Sequence, residues 1–292
     1  MHSYTIKDLE NLSGIKAHTI RIWEQRYSFL KPNRTGTNIR YYSNHELKTI
    51  LNIALLNKYG YKISHINKMD EKEIHEKILS LNQLQAKQER VVNEMIKQMM
   101  DMDMDKFEVL LDNYVAEKGI DKAINEVIFP FLEKIGILWQ TNHIIPAQEH
   151  LVTNMIRQKL LSGIENIDCN TRTDKSILLF LPEGEYHELA LLYMHFCLKK
   201  RGICSIYLGC NITMDDVAYV VKMKKPDHLH THVTTASTRF NLDKFLTSLT
   251  HRFPGQSITI SGRLTHNYDK KVQPAVKLIR SFDAAMDFAS TF

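Results

Sequence analysis

The first 45 residues constrain the fold most. A helix-forming run from about Thr5 to Leu12 is broken at Ser13-Gly14, and a second helical run carrying Arg21, Trp23 and Arg26 follows at once. A basic, glycine-containing loop, Lys31 to Thr37, then leads into the strand-like Ile39-Arg40-Tyr41-Tyr42. Helix, tight glycine turn, basic helix and basic wing make a winged helix-turn-helix, a unit whose second helix fits the major groove of double-stranded DNA.

The charge distribution points the same way. Residues 1–75 hold 12 Lys and Arg against 7 Asp and Glu, a surplus of +5 that equals the surplus of the whole chain, 38 against 33. Residues 76–292 are balanced, so the net positive charge lies on the first quarter. Cations that displace counterions from phosphates supply most non-specific DNA affinity, so a local surplus says more than a global isoelectric point near 8.8.

Several residues carry a resemblance. Tyr4-Thr5-Ile6, Leu12-Ser13-Gly14-Ile15, Thr19-Ile20-Arg21-Ile22-Trp23-Glu24, Tyr27, Leu30-Lys31-Pro32, Arg34, Arg40 and Tyr42 make residues 4–75 similar to the DNA-binding domain of MerR-family transcription regulators. The resemblance implies that Lys16, His18 and Arg21 face the groove or its phosphates, and that Arg34, Arg40 and Tyr42 are wing contacts. Leu9, Ile20 and Trp23 recur at helical spacing on the other side and are expected to form the small core. Ser43-Asn44-His45-Glu46 reads as a capping box opening a helix over about 44–58, with a further helix from Ser64.

At 292 residues two or three domains are expected. No 18-residue apolar run exists and the N-terminus has no signal-peptide core, so no membrane partner and a cytoplasmic protein are expected. Cys169, Cys197, Cys204 and Cys210 lack C-x-x-C spacing and read as reduced, mostly buried thiols. The middle third, 76–168, reads as a four-helix bundle with helices over 86–100, 104–117, 120–138 and 146–165. Met99 to Asp105 is expected to be a junction between helices.

In the last third, 174–292, the period changes. Ser176 to Leu181 is a continuous apolar run, the mark of a buried parallel strand. Helix about 187–200, strand 204–208, helix 213–224, strand 228–235, helix 242–251 and strand 257–260 follow. Such alternation predicts a Rossmann-like, doubly wound parallel sheet that binds ligands beyond the carboxyl ends of its strands. The loop after the first strand, Pro182 to Glu188, lies at that edge. In it, Glu185 two residues before His187 suits a metal ligand whose other ring nitrogen is held by an acid.

A helical bundle followed by such a domain resembles the cobalamin-binding module of methionine-synthase type. The three-part order, 1–75, 76–168 and 174–292, resembles the CarH/LitR group of light-sensing MerR-type repressors. That resemblance implies adenosylcobalamin as cofactor, bound between cap and sheet, with His187 as the lower axial cobalt ligand and Glu185 in the carboxylate position. It implies that Trp139, Glu149 and His150 cap the upper face, with His150 replacing the upper ligand after its loss. It also implies a homo-oligomer, dimer or tetramer, that grips operator DNA and is controlled by light. Three positions depart from the cobalamin pattern: Ala190 and Ser261-Gly262 where the pattern has glycines, and His232, or Thr234 in a shifted register, where it has a small serine. They line the slot for the cofactor's nucleotide tail.

His228-x-His230-x-His232 places three imidazoles on one face of a strand. A metal site there would need a fourth ligand from elsewhere, and partly exposed histidines are the expectation. No nucleotide-binding, nucleophile-elbow or metalloprotease motif occurs, so a regulator rather than an enzyme is expected, and a repressor before an activator. Two alternatives stay open: a cobalamin-independent regulator that uses the fold for oligomerisation or another ligand, and a corrinoid-carrying protein without a DNA function.

Overall fold

The computed structural model describes residues 3–141, 143–168, 173–234, 240–266 and 268–292. Two compact units divide the chain, Met1–Met155 and Ile156–Phe292.

In the N-terminal unit, α1 (Ile6–Ser13) opens on a capping box in which Thr5 and Asp8 satisfy each other's free amides, and closes on Gly14 at φ 75°. A left-handed turn there costs glycine nothing. Helix α2 (Ala17–Arg26) follows, then the antiparallel wing β1 (Asn33–Arg34) and β2 (Arg40–Tyr41). Tyr4 bridges Tyr42 and ties the wing base to the chain start. The Ser43–Glu46 capping box is present and opens α3 (Asn44–Lys58), as the sequence indicates. Helices α4 (Ile63–Ile66) and α5 (Glu71–Leu79) close a core that holds Trp23, Ile53, Leu56, Ile66 and Ile78.

Helices α6 (Leu84–Asp101) and α7 (Met104–Lys118) meet where the Met/Asp run predicts a junction, with Met102 at φ 57° and Asp103 capping α7. The third expected helix is not uniform. It runs as α8 (Ile120–Ala123), a π turn (Ile124–Ile128) and α9 (Phe129–Gln140). Pro130 explains the break: its ring would crowd the carbonyl four residues earlier, at Glu126, and the wider π turn gives that carbonyl room. Helix α10 (Pro146–Glu165) has the bounds read from sequence.

The sheet of the second unit comprises β3 (Ser176–Pro182), β4 (Cys204–Ile212), β5 (His228–His232), β6 (Ser257–Ser261) and β7 (Val276–Leu278). Its order is β4-β3-β5-β6-β7 and every pairing is parallel. Between the strands run α11 (Leu189–Lys200), α12 (Met214–Lys224), α13 (Leu242–Arg252) and the short α14 (Arg263–His266), and α15 (Phe282–Thr291) ends the chain. Strand β3 has no polar alternation because both of its faces are covered. Ile177, Leu179 and Leu181 pack with α11 and α15, whereas Leu178 and Phe180 pack with α12 and α13. Each such fully buried side chain contributes about 1.5–3 kcal/mol. Strand β7 and helices α14 and α15 are additions to the sequence reading. Strand β5 ends at His232 rather than running to 235, and Thr235 lies outside the described residues.

Candidate functional site

Two faces of the molecule carry chemistry. On the first, α2 buries Ile20 and Trp23 and leaves Lys16, His18 and Arg21 exposed, as the amphipathic pattern requires. Lys16 also reaches Glu10, 3.4 Å away. In the wing, exposed Arg34 donates to the side-chain oxygen of Asn38 at 2.8 Å, with Asn38 in the left-handed turn at φ 65°. Arg40 donates through Nε to Oε2 of Glu24 at 3.0 Å, and the Glu24 side chain is buried.

Tyr42 corrects the sequence reading. It is fully buried and its hydroxyl donates to Glu24, so it fixes the wing against α2 instead of touching a phosphate. Burial, and then the Glu24 carboxylate, push its ionisation far above the ordinary tyrosine range. Glu24 was not singled out from sequence as an organising residue, although a lone carboxylate in the middle of a basic helix is a readable signal.

The second face is the carboxyl end of β3. The Glu185 side chain is fully buried and collects donors on both oxygens. Oε1 accepts the backbone N–H groups of Tyr186 and His187, each at 3.0 Å, and lies 2.6 Å from Nδ1 of His187. Oε2 accepts the Thr234 N–H at 2.7 Å from the end of β5. A proton on Nδ1 shared with the acid leaves the basic lone pair on Nε2, the atom that would bind a metal. The His187 ring is 55% exposed, so that edge is accessible. Asn211, at φ 58° in the irregular end of β4, accepts from Gly184 at 3.0 Å and donates its N–H to the Glu185 carbonyl at 3.1 Å. It is a second organising residue that no motif announces.

Comparison with known proteins agrees with both faces. Residues 4–73 match the MerR HTH family regulatory protein and residues 91–161 match the B12 binding domain. The chain joins a MerR helix-turn-helix domain to a B12 binding domain. It is homologous to two proteins of Myxococcus xanthus. One is the HTH-type transcriptional repressor CarH, 26% identical over 274 residues that cover 91% of each chain. The other is the HTH-type transcriptional repressor CarA, 26% identical over 208 residues, 70% of this chain and 68% of the relative. A solved monomethylamine corrinoid protein of Methanosarcina barkeri shares the fold, with TM-score 0.54 and 13% identity over 70% of this chain and 99% of its own.

The remaining residues read for the B12 binding domain and its sheet partner sit as follows. Trp139, at the end of α9, is 47% exposed, and His150 is 70% exposed with Nδ1 3.5 Å from Glu149. Ala190 lies in the first turn of α11, half-buried. The histidine run differs from the expectation of partial exposure. His228 and His230 are buried, and all three rings are paired with hydroxyls of β6. Nε2 of His228 meets the Thr259 hydroxyl at 3.0 Å, Nδ1 of His230 the same hydroxyl at 2.8 Å, and Nδ1 of His232 the Ser261 hydroxyl at 2.8 Å. Parallel pairing of His230 with Thr259 and His232 with Ser261 dictates these partners. Burial lowers the three imidazoles to about 4, about 3 and about 4, in chain order.

Gly262 follows at φ 107°, and a Cβ there would lie 2.3 Å from the Val233 carbonyl oxygen. The glycine is required by the chain's own backbone. The Glu185–His187 pair thus fits a corrinoid's cobalt, whereas the strip expected to take the nucleotide tail is filled by histidine rings. Among the described residues no group of three metal-ligating side chains stands together, and none of their helices is long and apolar enough to cross a membrane. The cysteines also depart from expectation: Cys204 is exposed, Cys197 and Cys210 are half-buried, and Cys169 lies outside the described residues.

Proposed function

We propose that this protein is a DNA-binding transcription regulator, a repressor, whose grip on operator DNA is set by a corrinoid held at His187. The observation that carries the reading is the Glu185-held His187 at the carboxyl end of β3, in a chain that opens with an exposed basic helix. Segments 1–75, 76–168 and 174–292 are its reader, cap and sensor. Lys16, His18 and Arg21 approach the groove, Arg34 takes backbone phosphate, and Arg40, held by Glu24, sets the wing's distance from α2. Glu185 keeps the His187 proton on Nδ1, so that Nε2 is the ligand atom.

A bound corrinoid would supply a cobalt centre with an exchangeable upper ligand, adenosyl in this reading, that light removes. In the resemblance Trp139, Glu149 and His150 serve that upper side, and exposure of Trp139 and His150 leaves both rings available for it. A homo-oligomer follows from the operator's need for two half-sites, since one winged helix reads only one.

Reconstitution with adenosylcobalamin tests the reading. Wild-type protein should bind it, lose the adenosyl group under green light, and show a two-histidine cobalt spectrum that His150→Ala lacks. The second reading, a regulator that keeps the fold without a corrinoid, is favoured by the filled strip on β5 and β6. Absence of any cobalamin spectrum would select it.

A further inference from the structure

A six-coordinate cobalt has one lower position. With His187 in that position, the nucleotide base that a complete cobalamin carries on a tether from its ring is displaced and has to be lodged elsewhere. The strip leading away from His187 along β5 begins at Thr234, whose N–H anchors Glu185, and passes His232, close enough to feel the charges of Glu185 and His187.

This chain fills that strip with its own groups. The Ser261 hydroxyl serves both His232 Nδ1, at 2.8 Å, and His230 Nε2, at 3.2 Å. His230 is 1% exposed, its Nδ1 is held by Thr259 at 2.8 Å, and Phe288 of α15 stacks on its ring with centroids 5.8 Å apart. Each shared hydroxyl is both donor and acceptor, so removing one ring leaves a buried polar atom without its partner. Such an atom costs about 1–3 kcal/mol, and a nucleotide entering here would uncouple several. The close approach of Gly262 to the Val233 carbonyl leaves no slack between the strand ends.

Building on the reading of His187 as the cobalt ligand, we propose that the site recognises a corrinoid by its ring alone. Its ligand class is then a corrinoid whose nucleotide tail is absent or stays in solvent. The histidine ladder on β5 and β6 is the specificity device that removes the tail from recognition.

Full-length protein titrated by absorbance with hydroxocobalamin and, separately, with aquocobinamide, the same ring without the nucleotide, tests this. The two dissociation constants should agree within about threefold, because no nucleotide contact separates them. Both spectral changes should disappear in His187→Ala. Cobalamin bound more than about tenfold tighter than cobinamide, a difference of about 1.4 kcal/mol, would overturn the inference and leave the His187 reading intact. Failure of both ligands to give a His187-dependent change would overturn the reading itself. In His230→Ser, which opens the strip but keeps a hydroxyl, cobalamin should gain on cobinamide. An unchanged ratio in folded variant protein would count against the ladder.

Discussion

Glu185 has a buried carboxylate with donors on both oxygens, and that geometry fixes which nitrogen of His187 is available. Glu185→Gln offers one acceptor oxygen and an amide that repels a backbone N–H, so cobalamin affinity should fall about 10–100-fold, read by equilibrium dialysis. The histidine ladder gives a pH prediction. Imidazoles lowered to about 4, 3 and 4 in the folded protein bind fewer protons than the unfolded chain wherever pH is below the ordinary value of 6.5. Their stability contribution is complete above 6.5 and is lost as pH falls toward 4. Each site loses about 1.4 kcal/mol per pH unit in that window. Thermal melts between pH 7.5 and 5 should show the second unit destabilised on acidification, and His230→Ser should flatten the slope. At this scale the sequence was readable where spacing carries chemistry, as in Glu-x-His, and unreadable where a partner strand does. Tyr42 and the histidines were assigned outward because their partners, Glu24, Thr259 and Ser261, lie in other elements.

Local rules made the elements largely legible. Capping boxes, glycine stops and helical periodicity place α3 and α10 at the bounds observed, because those signals act within one turn of the chain. Ser43→Ala removes the hydroxyl that accepts the Glu46 N–H and should cost about 1 kcal/mol in urea titrations, with the fold retained. The π turn escaped notice since its cause, Pro130, sits after the distortion it produces. Strand β7 escaped because three residues at a sheet edge carry too little alternation to register. Gly262 belongs at this scale too. A side chain at φ 107° against the Val233 carbonyl is strained, so Gly262→Ala should destabilise the second unit by about 1–3 kcal/mol, measured by thermal melting.

At the scale of the whole molecule, a chain whose surplus charge is confined to its first quarter separates a reader from a sensor. Arg21→Ala should weaken binding to every DNA tested and reduce the dependence of log K on log salt by about one, since one phosphate or base contact is lost. Arg40→Ala should do so while also loosening the wing, because Glu24 then stays buried without its cation. The central claim, that a corrinoid at His187 controls DNA binding, is tested most directly by fluorescence anisotropy of an operator duplex selected with the full-length protein. The titration is made with adenosylcobalamin in the dark and repeated after green light. The account predicts tighter binding in the dark by at least about tenfold, a coupling of about 1.4 kcal/mol, and loss of that difference in His187→Ala. Superimposable dark and light isotherms, with cobalamin bound and fully photolysed, would contradict it.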